Sequence, residues 1–282
     1  MSTTVEQFPA QLSPRPGAQV SAEAEPKSLS AFNFHPAVDD LPEEQLVGIE
    51  INGRPVGSVI CSPVAAREMA IGWAFTNGYF SRAEDLRRVT VYPGRISLMV
   101  EDPSQGGVAG SSLLVAAADD DLDPELVPAN RASISAALMD GEECESRWRI
   151  SKERFVGVVA RVFNRLEQDL VAGYHIAAAA DDEGVCIIGR DINRQNAVDK
   201  IVGWTVLEQR PRDSLMLCLS GRITADIVHK AWRAGFPIVA SQALPTADAV
   251  DIAEIAGITV VGRALDARRS VYSHAWRLTE DD

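Results

Sequence analysis

From Tyr174 to Gly262 the chain alternates short apolar runs with segments of helical period, and no other feature limits its fold as tightly. Tyr174 to Ala180 and Val185 to Ile188 flank Asp181-Asp182-Glu183-Gly184 and read as a hairpin. A helix follows, with Ala197, Val198, Ile201 and Val202 on one face and Asp199 and Lys200 on the other. Ser214 to Leu219 has the pattern of a buried strand. Ile223 to Ala234 is a helix stopped by Gly235, and Pro237 to Ala240 is the next strand. Pro245-Thr246 starts a helix running to Ala256, Gly257 ends it, and Ile258 to Val261 is again a strand. A last strand spans Ser270 to Trp276. This order predicts an α/β fold: a mixed, partly parallel sheet with helices on its faces.

The preceding residues predict a smaller unit, an N-terminal β-hairpin/helix subdomain. Leu46 to Ile51 and Arg54 to Ile60 are joined by Asn52-Gly53, the residues a type I′ turn wants. Ser62 as cap and Pro63 at the first helical position start a helix with the stripe Ala66, Met69, Ala70, Trp73 and Ala74, ended by Gly78. Leu86 to Tyr92 and Ile96 to Val100 form a second hairpin through Pro93-Gly94-Arg95. Residues 102–149 are harder to read. They hold the apolar run Leu113 to Ala118, then acidic stretches. A helix capped by Ser151 carries Phe155, Val158, Val159, Val162, Phe163 and Leu166 on one stripe. The expected division is a mobile extension over 1–44, a smaller α+β subdomain over 45–149 and an α/β cofactor-binding domain over 150–282. The extension holds six of the fifteen prolines and no sustained period.

The turns of the larger unit carry the chemistry. After Ile188 come Arg190, Asp191, Asn193, Arg194, Gln195 and Asn196, then a helix. A strand that empties into a polar turn and a helix start gathers backbone N–H groups, a helix dipole and guanidinium groups in one place, which suits an anion. It equally fits a solvated loop. Ser220-Gly221-Arg222 stands at the next strand-to-helix turn: Ser can cap the helix, Gly permits close approach and Arg supplies a planar fork. Pro245-Thr246 makes a third such turn. Together the three predict a pocket for a phosphate-bearing ligand.

Composition narrows the class. Among 282 residues the net charge is −13, which argues against general affinity for nucleic acid. Residues 1–44, 119–125, 140–145 and 280–282 hold 19 of the 40 acids and only two bases, Arg15 and Lys27. Those segments sum to −17, and the remainder of the chain is +4, compatible with an anionic ligand. No apolar run approaches the ~20 residues of a membrane span, and no signal peptide is expected. Cys61, Cys144, Cys186 and Cys218 are far apart, which fits a reducing cytoplasm better than a disulfide framework. His35, His175, His229 and His274 have no Cys or Glu at zinc-ligand spacing. His175 reads either as a ligand contact or as a satisfied structural histidine, and His229 as a surface residue.

From about Leu46 to Leu278 the order of motifs resembles the FdhD-type accessory proteins of formate dehydrogenase. The matching stretches are Cys61-Ser62-Pro63 before a helix ending Asn77-Gly78, Ala172 to Ala178, Asp191 to Lys200, Ser220-Gly221-Arg222, Pro245 to Val250, and Gly257 to Gly262 leading to Val271-Tyr272. The resemblance implies a cytidine-deaminase-like α/β fold, a homodimer, and transfer of sulfur from a cysteine desulfurase to the bis-molybdopterin guanine dinucleotide form of the molybdenum cofactor, which then enters formate dehydrogenase. It further implies that the loop Arg263, Ala264, Leu265, Asp266, Ala267 and Arg268 touches a nucleotide end of that cofactor, for which GDP is a mimic. Arg194, Asn196, Lys200 and Arg222 are expected as phosphate donors. Asp191, His175, Ser220, Gly221 and Thr246 complete the expected cofactor site.

The departures matter as much. The family usually reads E-D-V-G-R-H-N where this chain has Arg190-Asp191-Ile192-Asn193-Arg194-Gln195-Asn196, and Val171-Ala172-Gly173 replaces T-G-G. The family's C-x-x-C loop has no counterpart; the corresponding region, near Ala116 to Asp123, holds no cysteine. The chain is similar to the cysteine-free branch called FdsC. Its expected task is therefore to bind the cofactor and deliver it to a molybdenum formate dehydrogenase in the cytoplasm. Two alternatives stand: a sulfurtransferase using Cys61 or Cys144, and an unrelated nucleotide enzyme with Asp191 or Asp199 as acid–base group. Cys144 lies in Glu142-Glu143-Cys144-Glu145, where like charge opposes the thiolate that sulfur chemistry needs.

Overall fold

The computed structural model describes residues 41–101, 143–171 and 173–280. The N-terminal extension with His35, the run Leu113 to Ala118, the acidic stretch after it, the region near Ala116 to Asp123, and Ala172 lie outside the described residues, as does the side chain of Leu166.

β1 (Gln45–Ile51) and β2 (Arg54–Cys61) form the expected hairpin. Asn52 (φ 50°) and Gly53 (φ 80°) supply the two left-handed residues of its turn. β3 (Leu86–Tyr92) and β4 (Arg95–Val100) form the second hairpin. β4 runs parallel to β1, so the four-stranded sheet has the order β2-β1-β4-β3. Between the hairpins, α1 (Ala66–Thr76) buries Met69, Ala70, Ile71, Trp73, Ala74 and Phe75. It begins at Ala66 rather than Pro63, and Ser62 does not cap it. The Ser62 N–H and hydroxyl instead donate to Asp191 Oδ2, at 3.1 and 3.2 Å. Ala65, at φ 56°, turns the chain into the helix.

β5 (Ile150–Ser151) leads into α2 (Lys152–Val171), and the Ser151 hydroxyl accepts from the Arg154 N–H as expected of a cap. β6 (His175–Ala180), β7 (Val185–Asp191), β8 (Met216–Leu219), β9 (Ile238–Ser241), β10 (Thr259–Gly262) and β11 (Ser270–Ser273) build a six-stranded sheet in the order β11-β10-β9-β8-β6-β7. β8, β9 and β10 are parallel. β6 is antiparallel to both of its neighbours, and β11 is antiparallel to β10. α3 (Arg194–Leu207), α4 (Ala225–Ala234) and α5 (Ala247–Ala256) follow β7, β8 and β9. The final strand is shorter than its pattern suggests: His274 (φ 43°) breaks it, and β12 (Leu278–Thr279) pairs with β5 instead.

Alternate residues of each strand face opposite layers. Ile176, Ala178, Met216, Cys218, Ile238, Ala240 and Val261 pack with Phe155, Val158, Val159, Val162 and Phe163 of α2. Ala177, Ala179, Leu217, Leu219, Val239 and Val260 share a core with α3, α4, α5, α1 and the inner face of the four-stranded sheet. Each large apolar side chain so buried contributes about 1.5–3 kcal/mol. The fold is thus α/β, with a mixed, partly parallel sheet between helical layers. Among the described residues no helix is long and apolar enough to cross a membrane.

Candidate functional site

β7, β8, β9 and β10 point the same way, so their C-terminal ends meet along one edge of the sheet, with the N-terminal end of β6 between β7 and β8. In α/β sheets this carboxyl edge is where ligands bind. The loops 191–196, 219–224, 241–246 and 262–269 all open there, so the three turns singled out in the sequence do share one side.

Asp191 is the floor of this edge rather than part of its surface. The sequence pattern places Arg190 and Asp191 in a turn, but both belong to β7, and Asp191 is fully buried. Its carboxylate accepts from the Ser62 N–H and hydroxyl, the Asn193 N–H (2.9 Å) and Asn196 Nδ2 (3.2 Å), and pairs with Lys200 Nζ at 2.7 Å. Lys200 is equally enclosed. Its ammonium donates to the Ser62 hydroxyl (2.7 Å) and to the Arg190 carbonyl (2.9 Å). Asn196 Nδ2 also donates to the Ile60 carbonyl at 2.8 Å. The expectation that Asn196 and Lys200 donate to a phosphate, with Asp191 beside them in the cofactor site, is therefore corrected: an ammonium needs its three donors satisfied when buried, and here protein acceptors satisfy them. The three side chains tie the β2–α1 junction to the β7–α3 turn.

Above this floor stand His175, Arg194 and Gly221. A β-carbon on Gly221 would lie 3.5 Å from His175 Nδ1 and 3.7 Å from Arg194 Cδ, so both side chains lie against the Gly221 turn. Arg194 is the first residue of α3, where Asn193 caps the helix by accepting from the Gln195 N–H at 2.9 Å. Its Nε is buried and has no hydrogen-bond partner among the described residues. Burial, and then the charge of Arg194, hold the His175 imidazole below its usual pKa, while Asp191 opposes them. His175 therefore offers a neutral ring. Ser220 is not a helix cap: its hydroxyl accepts from the Ile176 N–H (3.0 Å), and Thr224 stands at the start of α4. Ser241, which the sequence reading missed, donates to the Gly221 carbonyl at 2.6 Å and fixes that turn. Its only signal is a hydroxyl closing an apolar strand.

Arg222 is exposed on the same loop. Thr246 caps α5, its hydroxyl accepting from the Ala249 N–H at 3.2 Å. Arg263 (φ 51°) and Ala264 anchor the last loop by donating to the Ala243 and Ser241 carbonyls, at 3.1 and 2.8 Å. Ala264 is buried, while Leu265, Ala267 and Arg268 are exposed. Asp266, unexpected in an anion site, organises the turn. It accepts from the Arg268 N–H at 2.8 Å, and that bond is the main reason its carboxyl lies below the usual range.

The other candidate side chains lie elsewhere. Asp199 is fully buried against Lys230 (2.7 Å) and Thr76 (3.0 Å), and Asp191 is sealed beneath the edge, so neither is an accessible acid–base group. His229 is a core residue, not a surface one: it is 1% exposed, neither ring nitrogen has a partner among the described residues, and burial pulls its pKa down to about 4. Cys61 is fully buried, and burial together with Asp191 pushes its thiol up to about 11. Its position before a helix start brings no benefit, since α1 begins at Ala66. Cys218 lies in the core, raised by burial to about 12. Cys186 is half-buried and donates to Asp181 Oδ2 at 3.3 Å. Cys144 is half-buried, beside a cavity of about 360 Å³. Among the described residues no group of three or more His, Cys, Asp or Glu side chains is arranged to hold a metal ion.

Residues 42–279 match the model of the FdhD/NarQ family. The chain is 30% identical over 272 residues to a sulfur carrier protein FdhD of Thermoplasma acidophilum, covering 89% of this chain and 90% of that protein. It is 26% identical over 255 residues to that of Bacillus pumilus, covering 86% of this chain and 91% of that protein. The fold is similar to a crystal structure described as a formate dehydrogenase accessory protein from Desulfotalea psychrophila, with a TM-score of 0.66 at 21% identity over 86% of this chain and 91% of that one.

Proposed function

The chain belongs to the FdhD/NarQ family, and on that premise we propose that it carries the bis-molybdopterin guanine dinucleotide cofactor on the carboxyl edge of its six-stranded sheet and delivers it to a molybdenum formate dehydrogenase. The observation that carries this reading is Arg194. Its Nε is buried without a partner, beside a neutral His175 and the Gly221 turn. A desolvated donor of a charged group is costly unless a ligand completes it. The cofactor's pyrophosphates are acceptors of the right kind, and Arg222, Arg263 and Arg268 surround the same edge with further charge. The N-terminus of α3 adds its dipole. A homodimer and a cytoplasmic location accompany this reading.

The curated relatives are named sulfur carriers. This chain has no C-x-x-C pair, and its four cysteines stand at positions 61, 144, 186 and 218. Cys61 and Cys218 are sealed in the core as neutral thiols. Delivery without sulfur transfer is therefore the better-supported reading. A second reading, a sulfurtransferase fed by a cysteine desulfurase, is favoured only by the relatives' name and by Cys144 at its cavity.

Mass spectrometry of the natively purified protein tests the first reading. It should find pterin and guanine nucleotide, and calorimetry should detect GDP binding. A chain that binds neither GDP nor cofactor would overturn it.

A further inference from the structure

The cavity beside Cys144 lies at the opposite edge of the sheet from the carboxyl edge, where Gly257 precedes β10 and His274 follows β11. Glu143, Cys144, Glu145, Arg147, Gly257, His274, Trp276 and Arg277 line its 360 Å³. Along residues 143–149 exposure alternates, with Glu143, Glu145, Arg147 and Arg149 exposed and Cys144, Ser146 and Trp148 half-buried. The Cys144 N–H donates to the Ala256 carbonyl at 2.9 Å, which holds the segment against the Gly257 turn. Glu143 and Glu145 line the same cavity, where the two guanidinium groups of Arg147 and Arg277 balance them.

Arg277 is the unusual member. It is 1% exposed, yet no carboxylate pairs with it among the described residues. Its guanidinium donates to the Thr259 hydroxyl (3.3 Å) and the Ser146 carbonyl (3.1 Å), both neutral, and Nε has no partner among the described residues. It stacks on Trp276 at 4.2 Å. Burial lowers its pKa. The neighbouring group that opposes this is the Cys144 sulfur, while Arg147 adds like charge. A buried guanidinium with no counter-ion among the described residues, opening on a cavity beside a thiol, is an incomplete arrangement.

We infer that this cavity is a thiol-modification site that seats a small carboxylate-bearing disulfide, with the carboxylate against Arg277 and a sulfur against Cys144. The Cys144 thiol loses its proton to solvent and its sulfur attacks one sulfur of the disulfide. A new S–S bond to Cys144 forms, the reagent's own S–S bond breaks, and its other half leaves as a thiolate. The modification is reversible by added thiol. It involves none of the residues of the cofactor edge, so it stands or falls separately from the reading above.

The test treats the full chain with dithiobis(nitrobenzoate), an anionic disulfide, and with neutral dithiodipyridine, and locates the modified cysteine by peptide mass spectrometry. Cys144 should be modified first, and Cys144→Ser should remove that fast phase. Arg277→Gln should slow the anionic reagent severalfold and leave the neutral one unchanged. Because Arg277 is buried and its replacement risks the fold, a second measurement uses the unaltered protein: inorganic sulfate, at constant ionic strength, should slow only the anionic reagent at Cys144. Modification of Cys186 ahead of Cys144, or equal behaviour of the two reagents toward sulfate, would overturn the inference.

Discussion

Gly72 and Gly203 face each other's helices at the crossing of α1 and α3, with no room for a side chain on either. A β-carbon on Gly72 would lie 1.9 Å from the Asp199 carbonyl oxygen, and one on Gly203 1.8 Å from that of Glu68. Such contacts are with backbone and cannot be relieved by a rotamer change. Ala at either position should therefore force the helices apart and cost about 3 kcal/mol or more. Urea unfolding measures it. A loss under about 0.5 kcal/mol, the range of neutral surface changes, would contradict the close crossing.

The buried His229 predicts a pH dependence. Its folded pKa of about 4 lies below the ~6.5 of an unfolded histidine, so the unfolded chain binds the extra proton between those values. Stability contributed by the neutral ring is full above pH ~6.5, falls as the pH drops, and levels off below the folded pKa. Between pH 7 and pH 5 the loss from this residue should be about 2 kcal/mol. Comparing His229→Leu with the parent at both pH values isolates it. An equal loss in the two proteins would show that His229 does not titrate this way.

Two basic residues of one helix should behave differently. Arg194→Ala should weaken GDP binding by about 1.5–3 kcal/mol, the worth of a charge-assisted hydrogen bond, with little change in stability. Lys200→Met should do the reverse, destabilising the fold by about 3–5 kcal/mol because Asp191 is left buried without its cation. Calorimetry and urea melts on both variants decide it. Unaltered GDP affinity in a folded Arg194→Ala protein would remove that residue from the site.

Removal of all four cysteines should leave formate dehydrogenase maturation intact, provided the protein folds. Ala is the safer replacement at Cys218, since a Ser hydroxyl in that apolar layer would cost about 1–3 kcal/mol. Loss of maturation in a folded, cofactor-binding Cys144→Ser protein would instead favour sulfur transfer.

Much of the fold can be read from local pattern. Asn52-Gly53 sets its own turn, Ser151 caps the helix beside it, and Phe155 to Phe163 form one stripe because a single sheet face receives them. Polar residues with distant partners are the opposite case. Asp199 and Lys200 read as the face of α3 opposite its apolar stripe, yet α1 and α4 cover that face, and their partners Lys230 and Ser62 lie 31 and 138 positions away. Asp191 and Ser62 are 129 positions apart. A charged residue at a strand end looks the same in sequence whether it meets a ligand or seals a junction. The edge itself is legible because each loop follows its own strand; which side chains rise above the floor is not.

The Asp191 junction also limits what can be trimmed. A chain starting at residue 150 would keep every loop of the carboxyl edge. It would lose the Ser62 hydroxyl that receives the Lys200 ammonium and the Ile60 carbonyl that receives Asn196. The first turn of α3, which presents Arg194, would then rest on unsatisfied polar groups. The small sheet serves as the keystone of a site to which it contributes no exposed residue of that network, so shortened versions should lose these loops together with the core that α1 and the small sheet share with α3.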